Sequence, residues 1–165
     1  MHNKNKITFL SFSPDLSETF AAINKEWIST MFELEQTDLD ALTNPQHHII
    51  DPGGKIYFAK HDELGVVGCC ALLPKSDGVF ELTKMGVSSR ARGNKIGEPL
   101  LAYTLQQAKT LPIKRLFLLT NKKCEAAIHL YEKHGFEHDQ EVMDLYGKSY
   151  QRCDVAMKYP AIWSL

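Results

Sequence analysis

The sequence predicts an α/β domain: a mixed sheet with helices on both faces. Three observations carry this. Short β-like runs alternate with segments of helical period. The run RLFLLT, Arg115 to Thr120, is almost wholly apolar, as in a strand buried on both faces. Turn signals such as NPQHHIIDPGG and SDG separate the runs. A chain of 165 residues suits one domain, 1–165, with a substantial core.

The elements follow in order. ITFLSF reads as a first strand. SPDLSETFAAINKEWISTMF reads as a helix, with Ser13 as cap, Pro14 at the first position, and Leu16, Phe20, Ile23 and Trp27 at helical spacing. TDLDAL is a second short helix capped by Thr37, and NPQHHIIDPGG is a turn region rather than a core element. KIYFAK and VVGCCALLP form a hairpin about DELG, and VFELTKMGV is the next strand. From Ile96 the period changes: Ile96, Leu100, Leu101, Leu105 and Ala108 share a helix face that ends near Pro112. RLFLLT follows, then EAAIHLYEKHG, a helix closed by Gly135. Phe136 opens another strand and RCDVAMKY supplies the last. The sum is about six or seven strands and about four helices.

Composition narrows the function. With 44% hydrophobic and 24% charged residues the chain is that of an ordinary globular protein. A net charge of -1 gives no global pull toward nucleic acid or anionic membrane, so any basic site is local. The apolar run in MHNKNKITFL is too short for a signal peptide and nothing approaches a membrane span, so a cytoplasmic location is expected. The four cysteines show no CxxC spacing, and adjacent Cys69 and Cys70 would face opposite sides of a strand, as reduced thiols. No metal is expected: His47 and His48 are neighbours in a loop, without a second ligand pair.

VSSRARGNKIGEPLL concentrates basic and glycine residues between a strand and a helix. Amides at such a junction bind anions, most naturally a phosphate or pyrophosphate. Arg92 and Lys95 add charge, while Gly93 and Gly97 admit a close backbone approach. Read alone, the loop fits an anion cradle and a solvated basic turn equally.

Taken with VFELTKMGV before it and TNKKCEAAIHLYEKHGF after it, the loop resembles the GNAT superfamily of acyl-CoA N-acyltransferases. Arg92 and Gly97 match the ends of that family's (Gln/Arg)-x-x-Gly-x-(Gly/Ala) motif, whereas Lys95 replaces its central glycine. Asn121, Ala127, Ile128, Leu130, Tyr131, Lys133, Gly135 and Phe136 match the second motif. The resemblance implies a mostly antiparallel GNAT-like sheet and acetyl-CoA as co-substrate. The implied activity is direct acetyl transfer, in a ternary complex, to a primary amine of a small molecule, amino acid or peptide. A CoA-binding sensory module on the same fold is the alternative. It allows a homodimer without deciding it.

The resemblance also assigns residues. Met85, Gly86 and Val87 would bind the pantetheine arm through their backbone, as an added strand does. Arg92, Gly93, Asn94, Lys95, Ile96 and Gly97 would hold the pyrophosphate; Lys95, departing from the motif, either adds a direct contact or obstructs the loop. Asn121 would touch the cofactor or reacting thioester, or act as a turn asparagine. Tyr131 matches the family's general acid, although its position also suits a core tyrosine; a phenol with a pKa of about 10 can protonate a departing thiolate. The Val87 amide is one candidate oxyanion donor.

Glu81 interrupts an apolar strand and, by simple alternation, shares a face with Thr83 and Met85. It reads as the general base, a substrate contact, or an exposed strand residue. Lys84 then points the other way, as a structural or surface residue. Asn24, Trp27, His47, Tyr150 and Arg152 are the candidates for the acceptor pocket.

Overall fold

The computed structural model describes residues 6–160, so part of MHNKNKITFL lies outside the described residues. Among the described residues, seven strands form one sheet in the order β1-β2-β3-β4-β5-β7-β6. They are β1 (Ile7–Ser11), β2 (Lys55–His61), β3 (Gly65–Ser76), β4 (Val79–Val87), β5 (Arg115–Thr120), β6 (Glu137–His138) and β7 (Val155–Lys158). Neighbours run antiparallel except β4 and β5. The helices are α1 (Ser17–Met31), α2 (Gln36–Thr43), α3 (Gly97–Ala108), α4 (Glu125–Lys133) and α5 (Gln140–Tyr146).

Strict alternation along the central strands divides the core into two layers. Ile56, Phe58, Cys69 and Ala71 pack with Phe20 and Ile23 of α1 and Leu42 of α2. Tyr57, Ala59, Val67, Cys70 and Leu72 pack on the other face with Leu100, Leu101 and Leu105 of α3 and Tyr131 of α4. Cys69 and Cys70 therefore do face opposite layers, and both thiols are free.

Two local expectations change. NPQHHIIDPGG contains a helical turn, Gln46–Ile50, that puts Ile49 fully into the core. The second helix starts one residue before Thr37, with Glu35 at its cap; the Glu35 amide donates to Asp38 Oδ2 at 2.9 Å. Helix α5 is an addition: Asp139 caps it by accepting from the Val142 amide, and its Tyr146 stacks on Phe117 with ring centroids 4.2 Å apart.

Candidate active site

Pairing between β4 and β5 lasts for three residues, Val79 with Arg115, Phe80 with Leu116 and Glu81 with Phe117. Beyond Glu81 the strands run on, to Val87 and Thr120, without pairing to each other. A sheet that separates in its middle leaves main-chain donors and acceptors along both inner edges. Between them lies a cavity of about 290 Å³, walled by Leu82 to Met85 of β4, Leu119 to Asn121 at the end of β5, Ala127 and Tyr131 of α4, and Trp27 of α1.

At Lys84 the chain departs from alternation. Thr83 opposes Ala71 and Gly86 opposes Cys69, so Lys84 and Met85 together face the single residue Cys70. This is a β-bulge, with Lys84 in the left-handed region at φ 55°. The extra residue exchanges the faces of everything after it. Met85, expected beside Glu81 and Thr83, packs against the α3/α4 layer. Lys84, expected to point away, is 5% exposed and reaches α2, donating to Asp38 Oδ1 and to the Tyr150 hydroxyl, both at 3.0 Å.

Register also aims the Val87 amide. Ser88 N donates to Val67 O at 2.7 Å, making Ser88 and Val67 a hydrogen-bonded pair. Val87, opposite Gly68, then belongs to the intervening narrow pair, and its N–H points to the edge nearer β5. Gly86 leaves room for Trp27: a Cβ there would stand 2.5 Å from Trp27 Cδ1. Trp27 is itself fixed by donating to Asn24 Oδ1 at 2.9 Å.

The basic loop follows β4. Arg90 donates to the Leu64 and Val66 carbonyls, so it anchors the loop to the β2–β3 turn. Ser89 is tied to Glu26 of α1 through both its amide (2.9 Å) and its hydroxyl (2.7 Å). Arg92 and Lys95 remain exposed. The amides of Arg92 and Asn94 bond back to Ser89 and Ala91, while those of Gly93, Lys95, Ile96 and Gly97 have no backbone acceptor among the described residues. Lys95 sits at φ 53°, a left-handed conformation that accounts for the glycine usual at this place. The helix begins at Gly97, so these amides lie at its mouth.

Opposite the gap lies a buried ionic cluster that the sequence did not announce. Arg152 grips Asp38 with two bonds of 2.7 Å, Nη1 to Oδ2 and Nη2 to Oδ1. Its guanidinium lies 4.7 Å from the Tyr150 ring centre and 5.8 Å from that of Phe32. Glu35 holds the approach to β7 by accepting the Gln151 and Arg152 amides. Burial opposes the charge of Asp38, yet Arg152 and Lys84 outweigh it and bring its pKa down to about 2. Burial likewise opposes the charge on Lys84, but Tyr150 and Asp38 leave its pKa above the ordinary lysine value.

Trp27, Met85, Asn121, Tyr131, Tyr150 and Arg152 stand on the cavity wall. The side chain of Asn121 is already engaged, donating to Arg152 O at 2.7 Å and accepting from the Lys123 amide at 2.9 Å. That favours its structural reading. Burial raises the pKa of Tyr131, so the phenol stays protonated. Glu81 lies at the fork where the strands part, 1% exposed, rather than on the wall. Among the described residues its Oε1 has no hydrogen-bond partner, Lys75 Nζ is 3.8 Å away, and burial raises its pKa. Thr83, next on the same face, does line the cavity.

Two acceptor candidates are displaced. Asn24 is fully buried, donating to Phe20 O at 3.0 Å and Cys69 Sγ at 3.3 Å, so it fixes Trp27 instead of meeting a ligand. His47 is exposed on the Gln46–Ile50 turn, packs against His48, and is not on the cavity wall. Lys84, Asp38, Phe32, Lys123 and the thiols Cys124 and Cys153 belong to the site or its support and were not foreseen.

Comparison with known proteins agrees with this fold. The chain is 26% identical over 154 residues to the uncharacterized N-acetyltransferase YjgM of Escherichia coli, covering 90% of this chain and 89% of that one. It superposes on a GNAT-family acetyltransferase of Staphylococcus aureus with a TM-score of 0.80 at 21% identity, over 93% of this chain and 98% of that one. Spermidine N-acetyltransferase of Vibrio cholerae, solved with CoA and spermine, gives a TM-score of 0.68 at 16% identity, over 96% and 98% of the two chains. Residues 20–136 match the Acetyltransferase (GNAT) family, and the chain belongs to that family as an acetyltransferase.

Proposed function

We propose that the protein transfers an acetyl group from acetyl-CoA to a primary amine, which attacks the thioester directly while both substrates are bound. The observation that carries this is the parting of β4 from β5 after Glu81, which opens onto a cavity with Tyr131 on its wall. The amides of Gly93, Lys95, Ile96 and Gly97, without a backbone acceptor among the described residues, suit a pyrophosphate, with Arg92 and Lys95 beside them. The β4 edge, including the Val87 N–H, suits the amide-bearing arm. Acetyl-CoA supplies the activated acyl group; the protein's side chains manage protons.

Tyr131, kept protonated by burial, donates a proton to the departing thiolate. Glu81 takes the amine proton through Thr83 or an intervening water, since its carboxyl lies behind the wall rather than on it. A carboxyl whose pKa is raised is better matched to that task than an ordinary one. Among the described residues no helix is long and apolar enough to cross a membrane. Calorimetric titration with acetyl-CoA tests the binding half. Thiol release with a panel of amines, comparing the wild type with Tyr131→Phe and Glu81→Gln, tests the chemistry. CoA binding without any amine-dependent thiol release would overturn the transfer reading.

A further inference from the structure

Granting that an amine is acetylated at this cavity, we propose that the acceptor also carries a carboxylate, as an amino acid or short peptide does, and that Lys84 and Arg152 receive it with Lys123 at the mouth.

The charges on the wall point this way. Lys84, Lys123 and Arg152 line the cavity against one acidic residue, Glu125. Behind them the partners are two carboxylates that are already engaged. Lys84 and Arg152 share a single fully buried carboxylate, Asp38. Glu35 also pairs with Arg152, its Oε2 accepting from Nη1 at 3.4 Å, while its two oxygens accept the Gln151 and Arg152 amides. Glu81 is held toward its neutral form by burial. On the wall itself three cations still face one carboxylate, so an anionic group entering there meets complementary charge.

Hydrogen-bonding capacity agrees. The Lys84 ammonium has three N–H bonds and, among the described residues, two partners, Asp38 and Tyr150. Arg152, on the cavity wall, spends Nη1 on Asp38 and Glu35 and one Nη2 hydrogen on Asp38, which leaves one Nη2 hydrogen and the Nε–H without a side-chain acceptor among the described residues. The same arrangement disfavours a polyamine, whose second cation would meet Lys84, Arg152 and Lys123. Tyr131 stands on the wall of the same cavity as Lys84, so an acceptor held there by its carboxylate presents its amine within the compartment where the thioester reacts.

The experiment compares acceptors that differ only in this group: L-amino acids and dipeptides against their C-terminal amides, with spermidine as a cationic control, in a thiol-release assay with acetyl-CoA. The free carboxylates are expected to exceed their amides in kcat/KM by about tenfold or more, as for a charge-assisted hydrogen bond. Lys84→Met should bring that ratio close to one. Should Lys84→Met fail to fold, Lys123→Gln, a change at an exposed side chain, should lower the ratio instead. Amides or spermidine used as well as the carboxylates would overturn the proposal and leave the transfer reading standing. No turnover with any amine, while calorimetry still detects CoA, would remove the transfer reading and this inference together.

Discussion

The indole of Trp27 fills the space that a side chain on Gly86 would need, with Cδ1 2.5 Å and Nε1 2.7 Å from a Cβ built there. The ring cannot turn aside without losing its bond to Asn24, which is buried and bound in turn to Phe20 and Cys69. Gly86→Ala is therefore expected to cost about 1–3 kcal/mol, as overpacking does, measured by denaturant unfolding. It should also raise the KM for acetyl-CoA, because the displaced edge belongs to β4. Unchanged stability would show that the indole yields freely.

Asp38 holds two cations, and its loss should exceed the loss of either partner. Asp38→Asn leaves the buried Lys84 without its counter-charge and Arg152 with Glu35 alone, and should cost about 3–5 kcal/mol. Lys84→Met leaves Asp38 paired with Arg152 and should cost less. The pH dependence has a defined sign. The folded pKa, about 2, lies below the ordinary 3.8, so the contribution is complete above about pH 4 and disappears as pH falls toward 2. Acid unfolding of wild type and Asp38→Asn, followed by circular dichroism, should converge across that window.

Glu81 should show stability and activity moving in opposite directions. Its pKa is raised by burial, so the stability linked to it is complete below the ordinary value of 4.5 and declines as pH rises through the folded value. Glu81→Gln is thus expected to lower kcat, yet to unfold at equal or higher temperature than wild type at neutral and alkaline pH. The wild-type rate should rise along an acid limb displaced above the usual carboxylate range. Equal kcat for the two proteins would remove Glu81 from the chemistry.

Lys95 sets loop strain against ligand affinity. Its φ of 53° is one that glycine adopts freely, so Lys95→Gly should gain about 1 kcal/mol in thermal unfolding. The same change removes an exposed cation next to amides that have no backbone acceptor among the described residues, and should weaken CoA binding in calorimetry. Tighter binding by the glycine variant would mean that the lysine only obstructs the loop.

Where local pattern decides structure, the sequence was legible. VFELTKMGV and RLFLLT mark β4 and β5 to the residue, because apolar runs bounded by turns have few alternatives. The short α5 was missed, since QEVMDLY is less than two turns long and is held by Tyr146 stacking on a distant Phe117. The bulge hid Lys84: a lysine with positive φ carries no sequence signal as glycine would, and alternation then assigns every later side chain to the wrong face. Asp38 reads as a surface residue in a short helix, and only the arrival of Arg152 from the far end of the chain turns it into the centre of a buried cluster. Asn24 was misread for the same reason, because its partners Phe20 and Cys69 meet only in the folded layer.

The three residue pairs that join β4 to β5 leave the sheet as two plates, β1 to β4 and β5-β7-β6, stitched at one end. A ligand seated between the free edges would act as the missing strand, so cofactor concentration becomes a structural variable as well as a kinetic one. Hydrogen exchange gives this a local readout. The amides on the open edge of β4 beyond Glu81 should exchange quickly in the free protein and slow in proportion to CoA occupancy, while those shared by β2 and β3 stay protected throughout.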